Sequence, residues 1–145
     1  QCAGAILASL VLRALFPQHP TLGATLPAET ALQSFVLEAI LTFILMFVIL
    51  SVSTGAKEKG VLAGVAVGSV IALEALFAGP VCGASMNPVR SFAPALVAWR
   101  FEHLWVYLTA PVLGALAGVV ACAVVHPSGC CSPSREKTES KTSNE

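Results

Sequence analysis

Asn87, Pro88 and Arg90 fall within four residues of one another in "GASMNPVRSFAPAL", residues 83–96, between two long apolar runs. Their chemistry is that of a donor set rather than of a reacting centre. Asn is a strong helix N-cap and Pro is favoured at the first helical position, so the stretch predicts a helix over 87–98. A helix N-terminus carries roughly half a positive charge and free N–H groups, and Arg90, one turn in, adds a full one. Cations are repelled from such a place. The Asn87 side-chain oxygen caps the helix while its amide nitrogen can donate to a passing oxygen, and the carbonyls of Gly83, Ala84 and Ser85 can accept from the same molecule. Single-file passage of small neutral hydroxyl compounds fits this lining. An Asn-Pro pair is also a common turn, and an Arg at a membrane end commonly snorkels to the interface. The position between two spans favours the pore, because an intramembrane charge is a functional hypothesis by default.

Other reactive sets are missing from the sequence. No nucleophile–base pair, phosphate loop or metal cluster is evident, so an enzyme is disfavoured and neither metal nor cofactor is implied. The cysteines, Cys2, Cys82, Cys122, Cys130 and Cys131, show no CxxC or Cys/His spacing, and no disulfide framework is indicated. His19, His103 and His126 lie at loop or interface positions and read as ordinary polar residues. Two carboxylates stand in apolar runs. Glu38 needs partners if buried, and Glu74 has three open readings: a pair with Arg90, a face toward a neighbouring subunit, or reach to the interface.

The elements that must position these residues are membrane helices. Charged residues are 11% and apolar residues 56% of the 145, against about 25% and 45–50% in soluble domains. With formal net charge zero and no basic cluster, nucleic acid is not an implied partner; a lipid bilayer is. Ala3–Phe16 is too short to cross alone, whereas Phe35–Val52, Val61–Gly79 and Leu104–Val125 approach the ~20 residues a span needs. The chain is apolar almost from Gln1, which reads as the end of a helix cut within it and not as a signal peptide. Residues 17–32, with Pro17, Pro20, Gly23 and Pro27, read as a loop, and 127–145 as a disordered tail. After the span ending at Gly79, residues 79–86 would dip in as extended chain before the half-helix. Ten helical residues cover only about 15 Å, and non-helical backbone at that depth must line a cavity or be buried in protein.

Lys57, Lys59, Arg135, Lys137 and Lys141 fall on one side of this topology, which the positive-inside rule makes cytoplasmic, tail included; loop 17–32 is then extracellular. Trp99, Phe101, Trp105 and Tyr107 read as an aromatic belt at the outer interface. Gly60, Gly64 and Gly68, and Gly114 and Gly118, form small faces suited to close helix packing.

"GPVCGASMNPVRSFAPAL", "FVLEAILTFILMFVIL" and "HLWVYLTAPVLGALAG" together resemble the second signature loop and two flanking helices of the aquaporin, or major intrinsic protein, family. The loop is most similar to that of its nodulin-type members. The resemblance implies an all-α, multi-pass membrane fold of two inverted repeats, assembled as a homotetramer. Residues 1–16 would end the third transmembrane helix and 33–126 would form the second repeat, with the first repeat's pore motif absent. The pore motif would be Asn87-Pro88-Val89, Val replacing the usual Ala. The narrow filter would use Ala75, Ala84 and Arg90, and Glu38 would support the loop backbone. Strict water channels usually place His at the position of Ala75. Two alanines therefore imply a wider passive channel for water and small uncharged solutes such as glycerol, urea or metalloid acids. The alternatives are a secondary transporter with broken helices and a half-channel inert by itself.

Overall fold

The computed structural model describes residues 1–53 and 59–126, the side chains of 59–61 excepted. Its helices are α1 Cys2–Leu15, α2 Ala31–Ser53, α3 Lys59–Cys82, α4 Pro88–Ala98 and α5 Leu104–Val125. No strand occurs among the described residues, and the fold is all-α. Stretches Ala31–Ser53, Leu62–Cys82 and Leu104–Val125 are long and apolar enough to cross a membrane, because at 1.5 Å per residue each exceeds the ~30 Å hydrocarbon thickness. The chain is thus a multi-pass integral membrane protein. At 11 residues, α4 reaches about half that distance.

The helices pack as a row. α1 lies on α4, α4 on α5, α5 on α2 and α2 on α3, while α1 and α3, at its ends, make no such contact. The tightest junction is α2 with α5, where glycine lets backbones meet. A Cβ at Gly114 would run into the carbonyl of Ala39, and one at Gly118 would sit 3.0 Å from both Met46 Cβ and Phe43 O. On α3 the small face is open: nothing lies within 4 Å of a Cβ built at Gly64 or Gly68.

Several sequence expectations need correction. Helix α3 continues past Gly79 and through Pro80 to Cys82. Proline removes one N–H from the ladder, yet Gly83 N–H donates to Gly79 O at 2.9 Å and carries the helix across it. The non-helical segment is therefore 83–87, not 79–86. Lys59 opens α3 instead of lying in a loop. Tyr107 is 0% exposed, on the inner face of α5, so it does not belong to the belt, whereas Trp99 and Trp105 are exposed. Cys122 is disulfide-bonded, against the reading of the cysteine spacings; Cys2 and Cys82 are free thiols. Lys57, Arg135, Lys137 and Lys141, and with them the tail and its orientation, lie outside the described residues.

Candidate functional site

The short helix α4 begins as its sequence dictates. Asn87 is its N-cap with extended backbone, and its Oδ1 accepts the Val89 N–H at 2.9 Å, with Pro88 at the first helical position. That leaves the Asn87 amide nitrogen, exposed, donating to none of the described residues. The far end closes with Trp99 in the left-handed region, the Arg100 N–H on Ala95 O at 2.8 Å and the Trp99 N–H on Leu96 O at 3.3 Å. This is a Schellman-type stop. Arg13 Nη2, from α1, donates to Val97 O at 3.1 Å and satisfies one more terminal carbonyl.

Ahead of α4 the backbone is unusual. Gly83, Ala84 and Met86 have φ of 84°, 41° and 52°, a region that costs a non-glycine residue about 1–2 kcal/mol. External bonds hold it there. Glu38 of α2, 0% exposed, accepts the Ser85 N–H on Oε1 at 2.7 Å and the Met86 N–H on Oε2 at 2.8 Å. Both carboxylate oxygens are spent on two consecutive N–H groups. The carbonyls of Gly83, Ala84 and Ser85 accept from none of the described residues.

A chain of hydroxyls fixes the same segment from its other side. Thr25 Oγ1 donates to Ser91 Oγ at 2.7 Å, Ser91 and Ser85 share a hydroxyl–hydroxyl bond, and Ser85 Oγ donates to Asn87 O at 2.9 Å. Gly83 is obligatory twice over, since a Cβ there would lie 2.9 Å from Thr25 Cγ2 at positive φ. Sequence reasoning missed Thr25 and Ser91. The one available signal was that Ser91 lies a helical turn after Asn87.

Between α1 and α4 runs a groove of about 580 Å³, lined by Asn87, Val89, Arg90, Gly23, Leu22 and small residues of α1. Arg90, exposed, donates from Nη1 to Gly23 O at 2.9 Å. Asn87, Val89 and Arg90 therefore share one lining. Ala75 and Ala84 do not join it: Ala75 is exposed on α3, which packs on α2 alone among the helices, and Ala84 is buried in a cluster with Leu41, Ala78 and Cys82. Cys82 Sγ turns inward, toward Ala78 O.

Glu74 pairs with none of the described residues. It is 2% exposed and neither oxygen has a partner among the described residues. The pair with Arg90 is not formed: Glu74 stands on α3, which packs on α2 alone among the helices and makes no contact with α4.

The site is thus a short half-length helix whose start carries an amide donor with no partner among the described residues and a guanidinium resting on Gly23 O, fed by a braced stretch of carbonyls that accept from none of those residues. This is the organisation of a re-entrant half-helix in a membrane protein. The Major intrinsic protein family matches over residues 1–122, and the chain belongs to it. Among its relatives, Aquaporin NIP1-4 of Oryza sativa subsp. japonica is 50% identical over 89% of this chain and 48% of the relative. Nodulin-26 of Glycine max is 51% identical over 81% and 44%. Aquaporin NIP1-1 of Zea mays is 48% identical over 97% and 49%. The chain spans about half the length of these relatives.

Proposed function

We propose that this chain supplies the second wall of a passive channel for water and small uncharged solutes, working with a first repeat that carries a matching half-helix. The observation that carries this reading is the pairing of Glu38 with the Ser85 and Met86 N–H groups. It spends two of the loop's donors on the protein and leaves, among the described residues, a ladder of unpaired carbonyls beside the Asn87 amide. A permeant hydroxyl finds acceptors and a donor in sequence. An inorganic cation meets the N-terminus of α4 and Arg90 and is repelled. Ala75, Ala84 and Arg90 are the filter in this reading, with the exposed Ala75 facing the space that the first repeat fills. The row of helices, open between α1 and α3, supports such a filling.

Glycerol, urea and undissociated metalloid acids are the solute class the two alanines suit. The assembly we infer is a homotetramer in the bilayer with the tail cytoplasmic, supported by the family and by the apolar surface left open on α3, Leu73 and Leu76 included. The test is stopped-flow permeability of proteoliposomes. Ala75→His in the full-length protein should cut glycerol flux more than water flux, and this chain alone should add nothing to empty vesicles. Equal losses would remove Ala75 from the filter.

A further inference from the structure

His19 is left unused by the channel reading, yet its geometry is specific. It lies in the loop between α1 and α2, and its Nδ1 accepts the Leu22 N–H at 3.0 Å and the Thr21 N–H at 3.4 Å. An imidazole nitrogen that accepts carries no proton. The turn it braces is closed by the Ala24 N–H on Thr21 O at 2.9 Å, and both central residues have positive φ, Leu22 at 50° and Gly23 at 79°. That region is disfavoured for leucine. Contacts outside the turn must hold Leu22 there, and they are the His19 bond and its burial to 4% exposure. Gly23, the residue after it, presents the carbonyl on which Arg90 Nη1 rests at 2.9 Å.

We propose that His19 is a positioning residue that holds Arg90 through the Leu22–Gly23 turn, and that its protonation releases the turn and the guanidinium together. A protonated imidazole has a donor at each nitrogen and no acceptor. The Leu22 and Thr21 N–H groups then confront another N–H, Leu22 returns to negative φ, and the Gly23 carbonyl is withdrawn. Arg90, tethered to the wall in the neutral state, swings into the groove it shares with Asn87 and obstructs it. The other titratable or charged groups on the loop and on the helices around the turn are Glu29, Cys2 of α1, Arg13 of α1 and Arg90 of α4. Arg13 donates to Pro17 O and Val97 O. Among the described residues no ion pair joins any of these groups to His19.

The inference rests on the channel reading, so the experiment reads the turn and the flux separately. Full-length protein in proteoliposomes is equilibrated at pH 8 and pH 5, the interval over which histidine changes charge, and challenged with glycerol. Wild-type permeability should fall about fivefold at pH 5, the shift that loss of one intramolecular hydrogen bond gives. His19→Asn keeps an acceptor near the Nδ1 position that does not protonate, and should hold the pH 8 value at both pH values. His19→Ala should be low at both, and His103→Asn should behave as wild type. Hydrogen exchange at the Thr21 and Leu22 amides, corrected for intrinsic pH dependence, should accelerate at pH 5 in wild type but not in His19→Asn. A flat wild-type flux profile, a His19→Asn protein that still closes, or unchanged exchange each overturns the inference. Flux absent at both pH values overturns the channel reading instead, and exchange alone then decides whether His19 governs the turn.

Discussion

Glu38 and Glu74 stand on adjacent helices, α2 and α3, at 0% and 2% exposure, and their surroundings treat them in opposite ways. Glu38 has a backbone N–H on each oxygen, whereas both oxygens of Glu74 are without a partner among the described residues. Burial by itself therefore does not mark the carboxylate that matters. What marks Glu38 is the demand of a strained loop with two N–H groups to satisfy, a demand that α3, whose N–H groups bond within its own helix, does not make of Glu74.

The strongest way to break this contrast is to remove the first member. Glu38→Ala orphans the Ser85 and Met86 N–H groups, at about 1–3 kcal/mol each, and should cost the full-length protein its detergent-stable fold, read as loss of a monodisperse peak and a cooperative melt. A variant that melted as wild type would mean that the loop does not depend on Glu38.

Gly114→Leu carries the same rule from charge to volume. It drives a side chain into the backbone of Ala39 and should destabilise by about 1–3 kcal/mol. Gly64→Leu, placed where nothing lies within 4 Å, should stay within about 0.5 kcal/mol in the isolated chain. Equal melting shifts for the two would contradict the packing row.

A smaller effect is expected at the hydroxyl chain. Ser91→Ala takes away the acceptor of Thr25 Oγ1 and the partner of Ser85, and should cost about 1–2 kcal/mol. Thermal unfolding measures this, and a Thr25→Val, Ser91→Ala double variant should cost less than the sum of the singles because the residues share one bond.

The smallest effect belongs to the second carboxylate. Glu74→Leu replaces an unpartnered polar group by an apolar one of similar size and should be neutral or stabilising by about 1 kcal/mol. A loss as large as that of Glu38→Ala would erase the distinction between them and point to a partner supplied by another segment or subunit.

Helix number, the half-length of α4 and its Asn87–Pro88 start were legible because each rests on local rules: apolar length, N-capping and the fixed φ of proline. The end of α3 was not. Pro80 and Gly79 look like a stop signal, and only the Gly83–Gly79 bond shows the helix passing through them. The fates of Glu38 and Glu74 were equally hidden, since each is a single acid in an apolar run and the difference lies in residues 47 and 48 positions from Glu38 in sequence. Thr25 escaped for the same reason, its partner Ser91 being 66 positions away. That partner is set by how the loop between α1 and α2 folds over α4, whereas His19 bonds within its own turn, and composition shows only that a loop is there. Tyr107 was misplaced by position along the span, because an interface belt and a buried face differ by rotation about the helix axis.

The measurement that bears most directly on the central claim is solute flux through the full-length protein, recorded by stopped-flow light scattering over a range of glycerol concentrations without an ion gradient. A channel built on this loop predicts permeability that stays constant as glycerol rises and carries no electrical current. Flux that saturates, or that requires an ion gradient, would make the broken helices those of an alternating-access transporter and contradict the account.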